Sequence, residues 1–267
     1  MGLVGGVAEI SCLGDQPTRG VLLSKVSGLE RRVPSEPASN EGAERAQPEE
    51  TVSTIYSNLA MLYQTRGELD QAESLYKKAI EMNTAREHRE SMARDYNNLG
   101  YVYWSRGDLE QAEAVYRKSL ELHEALGNQE GMADNYANLG SVYWTRSDLA
   151  KAEAMYRQAL MLNGALDRKE KLANVYGNLG VVYQTRGDLK KAQAMHEKAI
   201  AIYQGAGRQT EGLANAYVNL GSVYQRAGAV AKAEARYVRA LQLYQRIGNH
   251  AHARKTEMLI NAVREAN

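Results

Sequence analysis

The chain has no phenylalanine, one cysteine and four prolines among 267 residues. A lone Cys12 excludes an internal disulfide framework and an all-cysteine metal site. That sparing use of cysteine fits a reducing compartment, and a cytoplasmic protein is expected. Pro17, Pro34, Pro37 and Pro48 all fall in the first 48 residues, so nothing after Pro48 must interrupt a helix. Long apolar runs are missing too. Gly20-Val21-Leu22-Leu23 is too short to cross a bilayer, so no membrane insertion is expected. Glu9 breaks the first apolar stretch and no Lys or Arg precedes it, which argues against a signal peptide. No sign of charge dominates, with 33 Lys and Arg against 32 Asp and Glu, so no nucleic-acid partner is expected. The aromatics are 17 Tyr and 2 Trp, and a core must be built from Tyr with Ala, Leu, Val and Met.

The composition divides the chain in two. Residues 1–48 carry Gly-Gly, Pro-Ser-Glu-Pro and Ser-Asn-Glu-Gly with scattered apolar residues, and they read as a disordered or poorly ordered segment. Residues 49–267 are helix-compatible throughout and form the second part.

That second part is repetitive. Asn58-Leu59-Ala60 is followed by Asn-Leu-Gly at 98–100, 138–140, 178–180 and 219–221, a period of 40 residues with one extra in the last interval. The insertion is expected in the loop Gly205-Ala206-Gly207-Arg208-Gln209. A Tyr stands four residues after each Leu: Tyr63, Tyr103, Tyr143, Tyr183 and Tyr224. Arg106-Gly107-Asp108-Leu109 and Arg186-Gly187-Asp188-Leu189 then separate two apolar-periodic segments of helical length. Gly107 suits the left-handed residue that ends a helix, and Asp108 can accept hydrogen bonds from the free amides that open the next. Gly100 and Ala112 are small enough to let paired helices approach closely. One such pair leaves an apolar face bare, so units must stack.

The pattern Tyr96-x-x-Leu99-Gly100-x-x-Tyr103, then Ala112-x-x-x-Tyr116, resembles a tetratricopeptide repeat. Tyr56, Tyr96, Tyr136, Tyr176 and Tyr217 stand where that family usually has Trp. Tyr76, Tyr116, Tyr156, His196 and Tyr237 stand where it has Phe. The 40-residue period and the Asn before each Leu resemble the longer-repeat subclass of the LGN/Pins adaptors and kinesin light chains. The resemblance implies an all-α, right-handed superhelix (α-solenoid) of five helix-turn-helix repeats, about 52–86, 90–126, 130–166, 170–206 and 211–247, with a capping helix at 250–265. Turns are expected near Gly67, Gly107, Ser147, Gly187 and Gly228.

No catalytic constellation emerges, and the chain reads as non-enzymatic. His196 occupies a core slot, and His250 with His252 lacks a third metal ligand, so no metal or cofactor is expected. The resemblance places the first helix of each pair on the concave face, where the subclass holds a ligand backbone with an Asn ladder. Here that ladder is Asn58, Asn98, Asn138, Asn178 and Asn219, whose amides can donate and accept at once. The same Asn residues could instead bond neighbouring helices and specify stacking. Tyr101, Trp104, Trp144, Val181 and Gln184 share the face by position, and Arg94 lies near its start. The Arg closing each first helix, Arg66, Arg106, Arg146 and Arg186, complements the helix C-terminus. Trp104 and Trp144 occupy a slot that holds Gln in the other three repeats, so core packing does not demand them, and they read as binding hot spots. The expected function is an adaptor or scaffold that binds an extended segment of a partner protein in its groove. A scaffold self-assembling by end-to-end stacking and a sensor regulating a separate enzyme remain open, and weak self-association is compatible with either.

Overall fold

A computed structural model describes residues 52–207 and 210–265. Residues 1–48, and Arg208 and Gln209 of the expected insertion loop, lie outside the described residues. The described residues form eleven helices and no strand. They are α1 (Val52–Arg66), α2 (Leu69–Ala85), α3 (Arg89–Arg106), α4 (Leu109–Ala125), α5 (Gln129–Thr145), α6 (Leu149–Ala165), α7 (Lys169–Arg186), α8 (Leu189–Gly205), α9 (Glu211–Arg226), α10 (Val230–Arg246) and α11 (His250–Glu265). The chain divides into two compact units whose described parts are residues 52–138 and 139–265, with the division inside α5.

The turns follow from the sequence. At Gly107 the backbone is left-handed (φ 90°), and the Gly107 and Asp108 amides donate to the Trp104 and Tyr103 carbonyls at 3.0 and 2.9 Å. This paired arrangement satisfies carbonyls that the helix end leaves free. Asp148 and Asp188 donate to Tyr143 and Tyr183 in the same way, both at 2.9 Å. Ser147 takes the left-handed slot (φ 63°) in the third repeat, where glycine would be less strained. The expected side-chain cap forms only at some repeats. Asp148 accepts from the Lys151 amide and Asp188 from the Lys191 amide, but Asp108 makes no such bond, its carboxylate lying 3.6 Å from Arg106 instead.

Four of the five helix pairs close on a glycine-to-ring contact, and the first has Ala60 in the glycine's place. A Cβ built on Gly100 would sit 2.6 Å from the Tyr116 ring, and Gly140 and Gly221 meet Tyr156 and Tyr237 in the same manner. Those rings are completely or almost completely buried, and the column Ala72, Ala112, Ala152, Ala192 and Ala233 is fully buried beside them. Small residues on one helix and rings on the other thus supply the interlocking that these pairs need. In the second unit α11 covers α10, burying Ile260 and Val263 in the same core as Tyr237 and Tyr244.

Candidate ligand-binding face

Successive helix pairs are braced by a carboxylate clamp. The Arg106 guanidinium reaches back to Glu73 at 2.6 Å and Asp70 at 2.8 Å, while the Tyr103 hydroxyl donates to Glu73 at 2.9 Å. Lys77 adds a third cation–carboxylate contact at 2.7 Å. Burial alone would raise the Glu73 pKa, but the hydrogen bonds from Lys77, Arg106 and Tyr103 outweigh it and hold the carboxyl at about 2. Within the second unit, Tyr183 and Arg186 grip Glu153 at 2.8 and 2.7 Å, and that carboxyl is lowered by the same competition. Arg106 and Arg186 therefore do more than complement a helix end. The signal was present in the sequence as the Glu after the repeated Ala, at Glu73, Glu113, Glu153 and Glu234, with Gln193 in the fourth repeat.

Lysines add a second repeating contact. Lys78, Lys118 and Lys198 lie over the rings of Tyr56, Tyr96 and Tyr176 at 5.8, 5.5 and 5.3 Å. A tyrosine in the family's usual Trp slot thus gains a cation on its face.

The candidate face lies on the first helices. In the first unit Tyr101 and Trp104 are half-buried, their ring centroids 5.9 Å apart and tilted by 42°. Asn98, one turn before Tyr101, is half-buried and makes no side-chain hydrogen bond among the described residues. Arg94, a turn earlier, is exposed. Asn138 does what the competing reading of the ladder allowed: its amide donates to Asn97 Oδ1 at 2.9 Å, joining α5 to α3. Asn58 is half-buried and already engaged.

In the second unit Asn178 and Asn219 are buried, and Asn178 is engaged. Trp144 is half-buried, with its indole N–H 3.4 Å from Thr185 Oγ1. Val181 and Gln184 do not lie on an open face as expected. They are 1% and 5% exposed, and α9 closes over Gln184: Gln184 Nε2 donates to Ser222 Oγ at 2.9 Å, and Arg226 donates to the Gln184 carbonyl at 2.6 Å. The Gln slot is also less permissive than the sequence suggested. Gln64 and Gln225 accept from the core hydroxyls of Tyr76 and Tyr237 at 3.0 and 2.8 Å, whereas in the Trp144 repeat Ser141 pairs with the Tyr156 hydroxyl at 2.9 Å.

No described helix is long and apolar enough to cross a membrane, and no cluster of three or more metal-ligating side chains occurs among the described residues.

Paired antiparallel helices, repeated every 40 residues and stacked through small-residue contacts, define a helical-repeat protein. The tetratricopeptide repeat family model matches residues 51–125, 91–163, 131–205 and 171–246, and the chain belongs to that family. Such repeats mediate protein–protein interaction. No curated protein matches the chain. Among solved structures, BtubC (BKLC) from P. vanneervenii is 28% identical with a TM-score of 0.66, over 86% of this chain and 90% of that one. A putative kinesin light chain repeat protein from Podospora anserina is 16% identical with a TM-score of 0.61, over 73% of this chain and 95% of that one. A Rap protein complexed with Competence and Sporulation Factor is 18% identical with a TM-score of 0.69, over 79% of this chain and 59% of that one. At those last two identities the likeness is one of fold.

Proposed function

We propose that the chain is a non-enzymatic adaptor whose first-helix face binds an extended segment of a partner protein, with Asn98, Tyr101 and Trp104 at the centre of the contact. The observation that carries this reading is the half-buried Tyr101–Trp104 pair beside an Asn98 amide with no hydrogen bond of its own. Partly buried aromatics offer large contact area at little conformational cost, and Trp and Tyr dominate binding hot spots. A free side-chain amide can serve both the N–H and the C=O of a strand-like ligand. Arg94 lies a turn away and would select an acceptor on the ligand. In the second unit Trp144 is the corresponding aromatic. Asn138 is assigned to stacking, and Val181 and Gln184 are left out of the contact set.

Selection of peptides from a random library on the full chain tests the proposal. Enriched peptides should share an apolar or aromatic residue, and they should lose binding to Trp104→Gln. Enrichment that survives Trp104→Gln and Asn98→Ala unchanged would place the binding surface elsewhere.

A further inference from the structure

The near-neutral total conceals a division of charge. Residues 52–138 carry nine Lys and Arg against fourteen Asp and Glu, whereas residues 139–267 carry nineteen against ten. The first unit is thus acidic and the second basic.

Matched positions on the second helices of the repeats show where the sign changes. One column reads Asp70, Glu110, Ala150, Lys190, Ala231, and the next reads Gln71, Gln111, Lys151, Lys191, Lys232. A third, near the helix ends, reads Glu81, Glu121, Met161, Ala201, Gln242. Every one of these fifteen residues is exposed. The fold therefore imposes no charge on these slots, since the same slot tolerates an acid, an apolar residue or a base. Part of the second column has a local use, because Lys151, Lys191 and Lys232 lie over Tyr143, Tyr183 and Tyr224 at 5.3, 5.5 and 5.6 Å. Tyr63 and Tyr103 do without such a cation, so this contact does not explain the segregation. Glu81, Glu121 and Lys190 have no ion pair among the described residues.

We infer that the acidic second-helix surface of one copy, centred on Glu81 and Glu121, docks on the basic second-helix surface of another, centred on Lys190 and Lys232. The occupant is a second copy of this chain because the chain itself carries both complementary surfaces. The contact joins unlike patches, so two copies can exchange both contacts in a symmetric dimer, or the contact runs head to tail into a ring or an open chain. It uses the second helices and does not cover Asn98, Tyr101 and Trp104, which lie on a first helix. Fields of this kind decay over ~8 Å at physiological ionic strength, so the association is salt-sensitive.

The test is mass measurement by analytical ultracentrifugation of the full chain across protein concentration, in about 30 mM and about 500 mM salt. The wild type should associate at low salt, with affinity falling at least about tenfold at high salt. Glu81→Lys with Glu121→Lys should be monomeric, and so should Lys190→Glu with Lys232→Glu. An equimolar mixture of the two variants should associate again. All four positions are exposed, and circular dichroism checks that each variant is folded. A wild type that stays monomeric at both salt concentrations overturns the inference and assigns the surfaces to a different partner. Oligomers indifferent to salt, or unrescued by mixing the variants, overturn it as well.

Discussion

The Gly131 backbone passes directly beneath the His123 imidazole, leaving no room for a Cβ between them. Gly212 lies under Tyr203 in the same way two repeats later, while the intervening repeat pairs a smaller Asn163 with Lys171 and the first repeat pairs Asn83 with Ser91. Ring and glycine are thus paired at these two repeats, whereas at the matching place before the last helix the Tyr244 ring stacks on His252 at 5.3 Å. Gly131→Ala should destabilise the chain by ~1–3 kcal/mol through overpacking. In combination with His123→Asn that cost should shrink by at least ~1 kcal/mol. Urea denaturation of the four chains of this cycle checks it, and strictly additive losses would refute the pairing.

Buried Asp95 makes the opposite kind of contact. It accepts from Asn83 at 3.0 Å and is fully enclosed, and burial raises its pKa against the help of Ser57, Arg94 and Asn83. A carboxyl with a raised folded-state pKa contributes most below its unfolded value, and that contribution is lost as pH rises through the folded value. Asn135 fills the matching slot one repeat later. Asp95→Asn should therefore stabilise the chain at neutral pH by ~1 kcal/mol, with a smaller gain in acid. A variant weaker than wild type at both pH values would show that the Asn83 hydrogen bond to the carboxylate outweighs the cost of its burial.

His196 replaces a core Tyr and is fully buried, with neither ring nitrogen hydrogen-bonded and its pKa pushed down to about 4 by burial. The unfolded chain binds the proton more tightly, so stability falls as pH drops from about 6.5 towards about 4. Nearby, Gln184 Oε1 is buried without a donor, where Gln64 and Gln225 receive one from Tyr76 and Tyr237. His196→Tyr should supply that donor, add ~1 kcal/mol at neutral pH and flatten this part of the pH profile. Thermal melts at pH 5 and pH 8 check both parts, and an unchanged slope would assign the acid sensitivity to another group.

Glu73 works in the other direction. Its depressed pKa gives a contribution present above the ordinary carboxylate range and lost as pH falls towards about 2. Glu73→Gln should weaken the chain by ~0.5–1.5 kcal/mol at pH 7 and converge with wild type in acid. Denaturant midpoints across that pH range measure the convergence, and a gap that persists in acid would mean that packing rather than charge is lost.

The helix pairs and turns were legible because they rest on residue type at fixed spacing: small Gly100 against bulky Tyr116, and left-handed Gly107 between helices. What was not legible depends on distances between helices. Counting from each Leu gives the side of α7 on which Val181 and Gln184 lie, but not that both are buried, with Ser222 and Arg226 of α9 bonded to Gln184. The same limit applies to the ladder, where Asn138 turns to Asn97 while Asn98 keeps its amide unbonded. The Arg106–Glu73 clamp spans 33 residues, and only the periodic Glu after Ala hinted at it.

The central claim is that the Tyr101–Trp104 face holds a partner segment. Its most direct test is the affinity of a fluorescein-labelled, library-selected peptide for the wild type and for Trp104→Gln, read by anisotropy at fixed salt, with circular dichroism and melting on both proteins. The helical signal and melting cooperativity should be unchanged, with binding weakened at least ~30-fold, the equivalent of ~2 kcal/mol. Equal affinity for both proteins, or a Trp104→Gln chain that no longer folds, would contradict it.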